Sequence, residues 1–219
     1  MTSETNIIGI VGSGHIGSNV ARAAINAGHS VIISNSRGPE SLTELIEELG
    51  PKARAASAAE AASEGDLVLI AIQLGRVDQL DPAPFAGKIV MDANNYYPER
   101  DGRIVAIDND ESTTSEFVQA HLPEARVVKV FNNIPAKQIP TDGTPAGTPD
   151  RRALPIAGND QVAKAAVVAF LDELGFDAVD LGGLDESWRV ERDTPAYVRR
   201  TNAEELTELA AKTERVQQV

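Results

Sequence analysis

The stretch Asn6-Ile7-Ile8-Gly9-Ile10-Val11-Gly12-Ser13-Gly14-His15-Ile16-Gly17 decides the fold. An apolar run of strand character ends in GxGxxG, and a helix-prone segment, Ser18 to Ala27, follows. GxGxxG alone is a weak signal because glycine is common. Set between a strand and a helix, it predicts a dinucleotide site. Gly12 permits the tight turn, Gly14 lets a diphosphate approach the backbone, and Gly17 lets the helix lie close on the strand. The free N–H groups of the first helical turn then face the phosphates. The plainer reading, an ordinary strand–turn–helix joint with incidental glycines, is the weaker one given these flanks.

Outward from this unit the chain keeps alternating. His29 to Ser34 reads as a second strand. A helix starting at Gly38-Pro39 buries Leu42, Leu45, Ile46 and Leu49, and Gly50-Pro51 stops it. Ala53 to Ser57 reads as a short strand and Ala58 to Ser63 as a small helix. Asp66 to Ile72, continuously apolar after its first residue, reads as a strand buried on both faces. Lys88 to Asp92 and Arg126 to Phe131 are further strands, with a helix at Ser115 to Leu122 before the second. The expected class is α/β: a Rossmann-type doubly wound, mainly parallel sheet with a small C-terminal α/β extension.

Residues 1–139 are read as the dinucleotide-binding domain. Residues 140–155, rich in Pro and Gly, form a long loop, either a lid over the site or a mobile surface insertion. Residues 156–219 form the extension: a short strand (Leu154 to Ala157, entered from the loop), a helix with Val162, Ala166, Val167, Phe170, Leu171 and Leu174 on one face, another strand (Phe176 to Leu181), and a polar tail from Thr201 that frays. Trp188 is read as a core residue, His29 as structural and His121 as a surface histidine.

The end of the second strand selects the dinucleotide. An NAD site usually places a carboxylate there for the adenosine ribose hydroxyls. This chain has Asn35-Ser36-Arg37 and no acid before Glu40. A hydroxyl and a guanidinium suit a 2′-phosphate, so the expected cofactor is NADP(H). The later strand ends read Ile72-Gln73, Asn94-Asn95 and Asn132-Asn133-Ile134-Pro135. Their amides suit a carboxamide or a flat heterocycle, and Ile134-Pro135 suits an apolar wall. The same asparagines equally suit turn-capping. No YxxxK helix, metal-spaced histidines or nucleophile elbow is present. No proton donor stands out either, which favours an acceptor needing only hydride, such as a flavin or deazaflavin.

Composition narrows the partners. With 33 acidic and 20 basic residues the net charge is −13, which argues against nucleic acid and anionic membranes. The chain has no cysteine, which excludes disulfides, thiolate chemistry and Cys-ligated metals, and no metal site is expected. No apolar stretch approaches the ~20 residues of a membrane span. A signal peptide has no room before the first strand. The expectation is a cytoplasmic protein whose partner is a small-molecule redox acceptor.

From Ile7 to about Val190 the sequence resembles the NADP oxidoreductases that depend on the deazaflavin coenzyme F420. Gly12–Gly17, Asn35-Ser36-Arg37, Lys88–Asp92, Asn94-Asn95-Tyr96-Tyr97-Pro98, Val128–Asn132, Ile134-Pro135-Ala136 and Gly158-Asn159-Asp160 carry the likeness. The resemblance implies hydride transfer between NADP(H) and a deazaflavin stacked on the nicotinamide. It implies that Ser13, His15 and Ile16 line the diphosphate, that Ser36 and Arg37 hold the 2′-phosphate, and that Ile72 and Gln73 lie beside the nicotinamide. No side-chain acid or base is expected to be catalytic. Asn132, Ile134 and Pro135 fall at the deazaflavin pocket, and a homodimer is implied. The cofactor-binding set is thus Gly12, Ser13, Gly14, His15, Ile16, Gly17, Asn35, Ser36, Arg37, Ile72, Gln73 and Asn94. Two other readings stay open: an NADPH reductase of a flavin, imine or ferric complex, and a non-enzymatic NADP(H)-sensing protein.

Overall fold

The computed structural model describes residues 6–215. In chain order the elements are β1 (Ile7–Val11), α1 (His15–Asn26), β2 (Ser30–Ser34), α2 (Thr43–Leu49), β3 (Ala53–Ala55), α3 (Ala58–Glu64), β4 (Leu67–Ile70), β5 (Ile89–Asp92), α4 (Pro98–Asp101), α5 (Val105–Asp108), α6 (Thr114–His121), β6 (Arg126–Lys129), β7 (Ala153–Gly158), α7 (Gln161–Glu173), β8 (Asp177–Asp180) and α8 (Ala203–Lys212). The eight strands form one sheet in the order β3-β2-β1-β4-β5-β6-β7-β8. β1 to β6 are parallel, β7 runs antiparallel to β6, and β8 is parallel to β7.

Both faces of the sheet are covered, which explains the unbroken apolar run of β4. Leu67 and Leu69 join one core with Ile8, Ile10, Val20 and Phe170, whereas Val68 and Ile70 join the other with Ala61, Val90 and Val118. Alternate residues of a strand point to opposite faces, so both sets must be apolar. Helix ends follow the local sequence. Ser57 and Glu60, and Thr113 and Glu116, form reciprocal capping boxes at the starts of α3 and α6.

The second half departs from expectation in four places. The Pro/Gly loop is neither over the cleft nor loose. Arg151 Nη1 bonds Asp172 Oδ1 (2.8 Å) and Asp177 Oδ1 (2.7 Å), and its Nε donates to the carbonyls of Thr144 and Gly175, which fastens the loop to the α7–β8 turn. On α7, Val162 faces solvent at 68% exposure and Ala163 takes the inward place, with Val167, Phe170, Leu171 and Leu174. Asp160 caps the helix start, accepting from the N–H of Ala163. The tail is docked: Asn202 and Glu205 form a capping box, and Leu206 is fully buried beside Ala153, Val179, Val190 and Ala196. Residues 216–219 of that tail lie outside the described residues. Trp188 is half-buried, with the guanidiniums of Arg189 and Arg215 4.5 and 5.9 Å from its ring.

His29 is buried, its Nε2 2.9 Å from Glu173 Oε2, and His121 is partly buried with Nε2 2.8 Å from the Leu80 carbonyl. No described helix is long and apolar enough to cross a membrane.

Candidate functional site

A cleft of about 1100 Å³ lies across the carboxyl ends of five strands, at the point between β1 and β4 where the strand order reverses. Open parallel sheets bind ligands at this place. The residues after β1 (Gly12 to Ile16), β2 (Ser34 to Arg37), β4 (Ala71 to Gln73), β5 (Ala93 to Asn95) and β6 (Asn132, Ile134 to Ala136) line it. Every candidate residue named from the sequence reaches this one cleft except Gly17.

The glycines divide the work at its floor. Gly12 has φ +111°, a conformation that strains other residues, and a Cβ there would lie 2.3 Å from the Ala71 carbonyl oxygen. Gly17 faces the fold rather than the cleft: a Cβ would lie 1.8 Å from the Gly12 carbonyl oxygen. At Gly14 a Cβ would meet no atom within 4 Å. It would enter open space at the start of α1, where no side chain caps the helix and the first turn holds no acid. That turn presents free N–H groups and the positive end of the helix dipole.

At the β2 end, Asn35 organises the loop. Its Oδ1 accepts from the Arg37 N–H (2.8 Å) and its Nδ2 donates to Ser41 Oγ (2.8 Å). Ser36 and Arg37 are exposed on the rim, and neither hydroxyl nor guanidinium has a partner among the described residues. At the β4 and β5 ends, Asn94 Oδ1 accepts from the Ile72 N–H at 3.1 Å and so sets the Ile72-Gln73 turn. Asn132 Nδ2 donates to the Val190 carbonyl at 2.9 Å. Asn94 Nδ2, a donor, and Asn132 Oδ1, an acceptor, are both buried without a protein partner. Buried amide atoms in a cleft wall call for a partner.

Below the cleft floor, Lys129 and Asp92 form a fully buried pair. Lys129 Nζ also donates to the Asn94 carbonyl (2.5 Å) and Thr114 Oγ1 (2.6 Å), while Ser115 Oγ donates to Asp92 Oδ2 (2.6 Å). This network anchors the Asn94 turn from beneath.

The sequence assigns no role to four residues that line the cleft. Arg76 and Arg100 add positive charge, and Tyr97 and Tyr197 place two hydroxyls in it. No local signal marked Tyr197, which arrives from 100 residues away. Among all lining residues there are three arginines (Arg37, Arg76, Arg100) and no Asp or Glu. Among the described residues no cluster of His, Asp and Glu is placed to hold a metal ion.

Residues 7–96 match the family model described as NADP oxidoreductase coenzyme F420-dependent. A hypothetical protein from Sinorhizobium meliloti is 31% identical, with 92% of this chain and 97% of that one covered and a TM-score of 0.75. A protein described as an F420-dependent NADP reductase from Arthrobacter sp. FB24 is 27% identical, with 84% and 87% covered and a TM-score of 0.71. Over residues 7–96 the chain thus matches the coenzyme F420-dependent NADP oxidoreductase family. This NADP oxidoreductase also shares its fold with an imine reductase from Pseudomonas sp. (20% identity, 95% of this chain and 61% of that one, TM-score 0.60). No curated protein matches it.

Proposed function

We propose that the cleft of this NADP oxidoreductase holds NADP(H) along its length and passes hydride to a deazaflavin of the F420 type at its β6 end. One observation carries the reading: a molecule of net charge −13 lines this cleft with three arginines, an uncapped helix start and no carboxylate. Such a surface suits a ligand with several phosphates and repels little else about it. The unfilled space at Gly14 and the two partnerless amide atoms of Asn94 and Asn132 fit a diphosphate and a carboxamide or heterocycle.

The bound dinucleotide supplies the hydride chemistry. The chain's own residues bind and orient. The N–H groups opening α1, with Ser13, His15 and Ile16 around them, receive the diphosphate. Ser36 and Arg37 receive the 2′-phosphate, with Arg37 as a charged fork. Ile72 and Gln73, fixed through Asn94, flank the nicotinamide end. Asn132, Ile134 and Pro135 face the acceptor. Holding donor and acceptor rings together supplies the proximity on which the transfer depends.

The test is direct. Purified protein, NADPH and F420 are mixed and loss of NADPH absorbance is followed, with calorimetry of NADPH binding beside it. Binding with F420 turnover is the expected result. Binding without F420 turnover removes the deazaflavin, and no heat on titration removes the cofactor assignment.

A further inference from the structure

The acceptor end of the cleft holds two hydroxyls that orientation alone does not require. Tyr97 and Tyr197 both line it, and their Oη atoms are 2.7 Å apart. They sit at the same end as Asn132. Asn95 Nδ2 donates to the Asn132 carbonyl (2.8 Å), and the Asn95 carbonyl accepts from Arg100 Nη2 (2.9 Å). The guanidiniums of Arg100 and Arg192 lie 4.4 and 4.9 Å from the centre of the Tyr97 ring.

We propose that Tyr97 is a catalytic residue: its hydroxyl surrenders the proton that accompanies hydride transfer, and Tyr197 donates the hydrogen bond that steadies the resulting phenolate. The proposal rests on the oxidoreductase reading of the cleft and not on which acceptor enters. The hydride takes its electron pair from the reduced nicotinamide to a carbon of the acceptor, so the nicotinamide is oxidised and the acceptor reduced. The acceptor nitrogen or oxygen conjugated to that carbon then forms its N–H or O–H bond as the Tyr97 Oη–H bond breaks. Water at the cleft mouth returns a proton to the phenolate.

The surroundings favour this division of labour. Tyr197 Oη is placed to donate a hydrogen bond to the Tyr97 oxygen, and the guanidiniums of Arg100 and Arg192 flank the Tyr97 ring. The carboxylates near Tyr97 are occupied by those same cations. Asp101, which accepts the Tyr97 N–H, is bound by Arg100, and Asp193 and Glu99 are bound by Arg192. Burial first, then the contact with Tyr97, pushes the Tyr197 phenol well above its ordinary range, so it stays the protonated member.

Tyr97→Phe and Tyr197→Phe test the pair, since each keeps the ring. With F420 as acceptor, Tyr97→Phe is expected to lower kcat about 100-fold and Tyr197→Phe about tenfold, the scale of general-acid catalysis. KM and calorimetric affinity for NADPH should stay as in the parent. F420 turnover within twofold of the parent in Tyr97→Phe overturns the donor and leaves the deazaflavin reading standing. Failure of the parent to turn over F420 overturns that reading instead, and the same variants are compared on a cyclic imine and on FMN. No proton-coupled turnover by the parent on any of the three overturns the donor. A kcat within twofold of the parent in Tyr197→Phe overturns the role given to Tyr197.

Discussion

At the scale of single residues, the cleft separates side chains that hold the fold from side chains that await a ligand. Arg37 belongs to the second kind, exposed and partnerless at the β2 end. Arg37→Ala should raise KM for NADPH about tenfold or more, the scale of a lost charge-assisted hydrogen bond, and leave KM for NADH nearly unchanged. Steady-state kinetics with both nucleotides checks this, and equal effects on the two remove the 2′-phosphate assignment. Two glycines of the same motif should behave oppositely. Gly14→Ala adds a methyl in open space at φ −68°, so thermal unfolding should be unchanged while NADPH affinity drops about tenfold. Gly17→Ala drives a methyl to 1.8 Å from a backbone oxygen. Overpacking of this kind costs ~1–3 kcal/mol and should lower Tm by several degrees. Two other residues carry strain beside the cleft. Phe131 (φ +63°) precedes Asn132, and Val198 (φ +51°) follows Tyr197. Left-handed backbone at a bulky residue persists only where the surroundings hold it there.

At the scale of elements, α8 is the test of whether the C-terminal segment is part of the fold. Leu206 is fully buried against β7 and the Leu184–Val190 turn of 3₁₀ helix. Leu206→Ala should cost ~2–5 kcal/mol in urea unfolding, with NADPH affinity of the folded molecule unaffected. The first six strands were legible because their pattern is local: a buried parallel strand must be apolar on both faces, and β4 is. The C-terminal elements were less so. Leu154 to Ala157 shows a strand but nothing in it shows direction, and β7 runs against its neighbour. On α7 periodicity admits two phases one residue apart, and packing against the sheet buries Ala163 and leaves Val162 in solvent. In the site, the residues directly after β1, β2, β4 and β5 that the glycine motif and the strand ends singled out do reach one cleft, whereas Arg76 and Arg100, a few positions further on, carried no signal. Tyr197 carried none either, because it meets Tyr97 only through the folded path of the intervening chain.

At the scale of the whole molecule, a carboxylate-free cleft in an acidic protein makes nucleotide binding depend on salt. The Debye length falls from ~10 Å at 0.1 M to ~3 Å at 1 M. The dissociation constant for NADPH should therefore rise across that range more steeply than that for NADH, which lacks one phosphate. Parallel salt dependences would mean that Arg37 and its neighbours do not feel the extra charge. The reversal at β7 has a temporal side as well. During synthesis the ribosome delivers residues 12–95, which supply most of the cleft lining, long before Val190, which braces Asn132, and Tyr197, which meets Tyr97. The strand-end part of the cleft is therefore made first, and the wall carrying Tyr197 completes it only when the last third folds back. On the function proposed above, inherited changes late in the chain redirect what is reduced while the source of reducing power stays the same.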